Sequence, residues 1–132
     1  MGSDWHGAHA PSLDEIAAMA REALDALPEP FRALAADVVA RVDDWPDDET
    51  LDALGIDSEY GLMGLFRGTA VTLDAQTGQA ANEVRLYRRP ILDYWAEHEE
   101  ALGSIVTHVL VHELGHHLGL SDGDMEGIEA SA

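Results

Sequence analysis

The stretch from Ser104 to Leu118 constrains this chain most, because it reads as a buried helix that nonetheless carries ionisable groups. Ile105, Val106, Val109, Leu110, Val111, Leu114 and Leu118 cover most of a helical circumference, so burial on nearly all sides is expected. Within it, His112-Glu113-Leu114-Gly115-His116 reads H-E-x-x-H. Ile105, Val109, His112 and His116 fall on one stripe, while Glu113 projects about 100° away. A lone histidine here would be read as a core residue satisfied by backbone carbonyls. Two histidines four apart, with glutamate directly after the first, have the spacing that grips one zinc ion and stations a general base beside the water it activates. An unpaired Glu113 among leucines would be costly, and a neighbouring dication offsets that cost.

The run continues to Gly119 and Asp122. Gly119 suits the left-handed residue that stops a helix. Asp122, six residues past His116, could then swing back as a third ligand. Asp124 and Glu126 are its nearest competitors, and the bland alternative is a turn, Ser121 to Asp124, opening a last helical segment. His117 points elsewhere on the helix, and Met125 reads as a packing residue. The chain has no cysteine, so any zinc site must be built from histidine and carboxylate.

Upstream, residues 1–11 lack periodicity and read as a flexible N-terminal arm, leaving 12–132 as a single domain. Ser12 and Glu15 form a capping-box pattern before a helical spacing that runs to Leu27, where Pro28 and Pro30 intervene. Phe31 to Ala36 suits a short helical turn. Val38, Ala40 and Val42 alternate with Val39, Arg41 and Asp43, which predicts a strand over 37–43. Asp48 to Leu54 reads as a short helix closed by Gly55, and the acidic residues around it as a solvated loop. Gly61 to Gly68 is too punctuated for a helix and reads as a strand or hairpin arm, its glycines permitting close backbone approach. Asp74 to Ala81 is turn-like. Glu83 to Arg88 alternates again, with Val84, Leu86 and Arg88 on one side, and is stopped by Pro90. A helix follows from Pro90, with Gly103 separating it from the next.

The run His112-Glu113-Leu114-Gly115-His116-His117-Leu118-Gly119-Leu120-Ser121-Asp122 resembles the zincin-like metallopeptidases, and most closely the minimal zincins with the motif HExxHxxGxxD. Weaker likeness extends to Leu86-Tyr87-Arg88-Arg89 and to Gly64-Leu65-Phe66-Arg67-Gly68, so it spans roughly residues 12–126. The resemblance implies an α+β fold: a small zincin-like domain with about three strands packed on a buried HExxH helix, plus two to four further helices. It implies one Zn2+ held by His112, His116 and Asp122, with Glu113 as catalytic base in peptide-bond hydrolysis. Metzincins generally carry histidine where this chain has Asp122.

Charge narrows the partners. Seven Lys+Arg face 26 Asp+Glu, a formal charge of −19, which opposes nucleic acid and anionic membranes and favours a neutral or basic peptide or protein substrate. A strand edge, with Val84–Arg88 the first candidate, would hold such a substrate extended. Tyr87, Arg88, Tyr94 and His117 are the candidates for stabilising the oxyanion. A non-catalytic zinc-binding module on the same scaffold is the alternative. A metal-dependent ribonuclease is a third class. A family of RNA-maturation endonucleases has a related histidine pattern, but with glycine where this chain has Glu113 and histidine where it has Gly123. The first twelve residues hold neither an apolar signal core nor an Arg-rich amphipathic stretch, and Ile105–Val111 is too short to cross a bilayer, so a cytoplasmic location is expected.

Overall fold

A computed structural model describes residues 5–68 and 82–131. The turn expected over Asp74–Ala81 lies outside the described residues.

Helix α1 (Leu13–Asp25) starts at the expected capping box: the Glu15 N–H donates to Ser12 Oγ at 3.1 Å, and the Ser12 N–H donates to Glu15 Oε1 at 2.9 Å. Its buried face is Ile16, Ala20, Ala23 and Leu24, while Leu13 is exposed. A four-residue α2 (Phe31–Leu34) leads into β1 (Val38–Asp43). The next helix, α3 (Asp48–Leu54), is capped by Asp47, whose carboxylate accepts the Thr50 N–H at 2.7 Å. Gly55 closes it in the left-handed region, with φ 68°.

Strands β2 (Gly64–Arg67) and β3 (Asn82–Tyr87) complete a mixed sheet of order β1-β3-β2. β1 runs parallel to β3, with Val38 opposite Asn82 and Asp43 opposite Tyr87. β2 runs antiparallel to β3, with Gly64 opposite Leu86 and Arg67 opposite Glu83. The three strands agree with the sequence reading, but β3 is the central one. Val84–Tyr87 has a partner strand on both sides, so it cannot be the edge that takes an extended segment. Among the described residues, the free edges belong to β1 and β2.

One face of the sheet is charged. Register sets Arg41 opposite Arg85, and Glu83 relieves the repulsion by accepting from Arg41 Nε at 3.1 Å and from Arg85 Nε at 2.7 Å. Arg85 also pairs with Asp43. The opposite face carries Val38, Val84 and Leu86 into the core, where α1 and the motif helix cover it. Each fully buried aliphatic side chain there contributes about 1.5–3 kcal/mol.

Arg88 does not continue the strand beside Val84 and Leu86; it opens α4 (Arg88–Glu97). Pro90 is accommodated in the first turn, where its missing N–H is one of the donors a helix leaves unpaired. Arg88 instead donates to the Pro11 carbonyl at 2.6 Å and to Asp44 at 3.0 Å. Helix α5 (Leu102–Leu118) begins before Gly103, so residues 98–101, not the glycine, separate the two helices. The last helix is α6 (Asp122–Ser131). Among the described residues five α-helices accompany α5, one more than the two to four expected, the shortest a single turn. None of them is long and apolar enough to cross a membrane.

Candidate functional site

Helix α5 is buried along Leu102, Ile105, Val106, Val109, Leu110, Val111, Leu114 and Gly115, but not all round. His116 and His117 are exposed, His112 is half-buried, and the His108 side chain is 56% exposed. The expectation of burial on nearly every side is thus corrected. The four histidines of the helix lie off its buried face, His117 under the Phe66 ring of β2 and His108 beside Glu129 of α6.

Two adjacent stripes of α5 do different work. Val109, Glu113 and His117 run along β2. A Cβ on Gly64 would stand 2.5 Å from Val109 Cγ1, Glu113 accepts the Phe66 N–H, and the Phe66 ring stacks on His117 at 4.0 Å between centroids. The match is geometric: four helical residues rise about 6 Å and two strand residues about 6.6 Å, so alternate strand positions meet successive helical turns. One step round the helix, His108, His112 and His116 form the open stripe. Ring centroids of His112 and His116 are 4.2 Å apart, and those of His108 and His112 are 5.7 Å apart.

Glu113, on the stripe facing β2, is half-buried. Burial pushes its carboxyl above the usual range, against the opposing pull of the Phe66 N–H and of His116 and His112. It therefore stands beside the histidine pair without sharing its direction, as the helical phase requires.

At the C-terminus of α5, Gly119 is left-handed with φ 73°, and the Leu120 N–H returns to the Gly115 carbonyl at 2.9 Å. Ser121 then caps α6: the Asp124 N–H donates to Ser121 Oγ at 3.1 Å, and the Ser121 N–H donates to Asp124 Oδ2 at 3.2 Å. The turn that opens a last helix is therefore real, and it occupies Asp124 as a cap. Asp122, the first residue of that helix, is left exposed. It lines a cavity of about 250 Å3 together with His108, His112, Met125, Glu126 and Glu129. Asp122 thus shares a cavity with His112, but His116 is not part of its lining. Among the described residues, no three His, Asp or Glu side chains stand in a group that could hold a metal ion. Met125 is a packing residue, 3% exposed, and a Cβ on Gly115 would meet its Sδ at 2.3 Å.

The oxyanion candidates fare poorly. Tyr87 is 2% exposed and its hydroxyl is pushed up by burial. Arg88 is tied to Pro11 and Asp44, and His117 lies under Phe66 on the β2 side. The Tyr94 hydroxyl donates to Glu100 at 3.1 Å while its ring stacks on His98. His108 was not singled out by the sequence reading. Its signal was present: it precedes His112 by the same four residues that separate His112 from His116.

The family model for zincin-like metallopeptidases matches residues 35–132, which covers the sheet, the motif helix and α6, and the chain belongs to that family. No curated protein matches the chain.

Proposed function

We propose that this chain is a zinc-dependent peptidase in which Glu113 is the general base. The observation that carries the reading is the relation of two stripes on α5: an open pair of imidazoles, and one step away a half-buried carboxylate beside the β2 edge. The donor set suits zinc in kind, being two imidazoles on successive turns with carboxylates close by and no thiolate. His112 and His116 would hold the ion, with Asp122 brought in from the head of α6. A bound zinc ion supplies Lewis acidity and makes water a nucleophile near neutral pH.

The chain's own residues do the rest. Glu113 accepts a proton from the attacking water and delivers it to the leaving amine; its raised proton affinity suits both halves of that transfer. The Phe66 N–H fixes the carboxylate, and among the described residues β2 has a free edge on that side of the site that would take an extended substrate. Hydrolysis of casein or an unstructured peptide, assayed with zinc, is expected for the wild type. Glu113→Gln should lose at least about 100-fold, the scale of general-base catalysis. Equal activity of the two proteins overturns the reading.

One observation favours a second reading, a non-catalytic zinc-binding module. Glu113 is already engaged by the Phe66 N–H, as a purely structural carboxylate would be. Zinc binding that raises the melting temperature, with no turnover on any peptide, would decide for the module.

A further inference from the structure

His108 and Val109 stand one helical turn before His112 and Glu113, and both line a cavity of about 290 Å3 that the hydrolytic reading leaves unused. Its other walls are Met63 at the entry to β2, Ile105 on α5, Tyr94 on α4 and Glu100 in the link between those helices. Ile105 and Val109 are 2% and 5% exposed and Met63 is half-buried, so three of the walls are aliphatic or thioether surface. Glu100 brings a charge to them. It is exposed, and its carboxylate accepts the Tyr94 hydroxyl at 3.1 Å. None of the ion pairs among the described residues involves it.

Apolar walls with a wet carboxylate beside them match one class of side chain. Lys and Arg have an apolar stem that lies along such walls and a cation that stays in water at the rim. A leucine would fill the apolar part and leave the carboxylate unmatched, and a glutamate would meet it with like charge. The formal charge of −19 adds a long-range pull on a basic peptide. The four residues from Val109 to Glu113 rise about 6 Å, a distance that a long side chain next to the reacting bond spans.

We propose that this cavity selects the substrate of the peptidase site: it takes a Lys or Arg side chain of an extended peptide, and Glu100 sets that preference. Tyr94 positions the Glu100 carboxylate through its hydroxyl. The proposal rests on the peptidase reading and narrows its substrate from neutral or basic to basic.

The test uses one unstructured peptide sequence carrying Lys, Leu or Glu at each position in turn, digested by the zinc-loaded full chain. Cleavage beside Lys should exceed cleavage beside Leu by about 10-fold in kcat/KM, the scale of one contact to a charged group. Glu100→Gln should erase that preference while leaving the Leu peptide unaffected, and Glu100→Arg should turn it toward Glu. A merely structural Glu100 would not invert the order. The same peptides, fluorescently labelled, are also bound to zinc-loaded Glu113→Gln and followed by anisotropy, which needs no turnover. Hydrolysis with no Lys preference, or with one that Glu100→Gln leaves intact, overturns the pocket and spares the peptidase. Binding that favours Lys through Glu100, with no hydrolysis by the wild type, overturns the peptidase and spares the pocket. Neither hydrolysis nor Glu100-dependent binding overturns both.

Discussion

Glu113 and Asp47 are two carboxylates with opposite surroundings. Burial lifts the Glu113 carboxyl, whereas the Thr50 hydroxyl and backbone N–H hold the exposed Asp47 carboxyl below the usual range. A depressed folded-state value means that Asp47 stabilises the fold fully at neutral pH and loses that contribution as pH falls through its folded value. Asp47→Ser keeps a cap that does not titrate. The difference in urea midpoint between the two proteins should therefore be constant from about pH 8 to 5 and shift against the wild type below about pH 4. A difference that stays constant throughout would show that the carboxylate's charge has no part in the cap.

The approach of β2 to α5 depends on Gly64. A methyl group there meets Val109 at 2.5 Å and also the Arg85 carbonyl and Leu86 at 3.3 Å, with a helix on one side and backbone on the other. Gly64→Ala is expected to destabilise by about 1–3 kcal/mol through overpacking, measured by chemical denaturation. On the proposed peptidase reading it should also lower activity, because the strand that donates the Phe66 N–H to Glu113 is pushed outward. Unchanged stability would mean that the sheet and helix separate at no cost. Both elements were legible as a strand and a helix. Their mutual spacing was not, since it follows from a pairing between residues about 45 apart in sequence.

For the molecule as a whole, −19 of formal charge on 132 residues means that self-repulsion opposes compaction. The Arg85 and Arg88 pairs relieve it only locally. Raising salt from about 0.01 M to about 0.15 M shortens the screening length from about 30 Å to about 8 Å. The melting temperature should rise over that interval. A fall would mean that the ion pairs of the sheet outweigh the net repulsion.

Local patterns alone determined the capping box at Ser12, the closing glycines Gly55 and Gly119, the alternation in β1 and β3, and the phase of Glu113 relative to His112 and His116. Each is set within a few residues by backbone geometry and side-chain period, so it can be read without knowing what lies across the fold. Tertiary structure decided the rest. It put β3 in the middle of the sheet, left the histidine stripe of α5 open, occupied Asp124 with capping, and brought Glu129 onto His108 from 21 residues away. Those outcomes depend on which elements find each other. Among the described residues, the elements of this small domain leave His108, His112 and His116 on the less covered side of the motif helix.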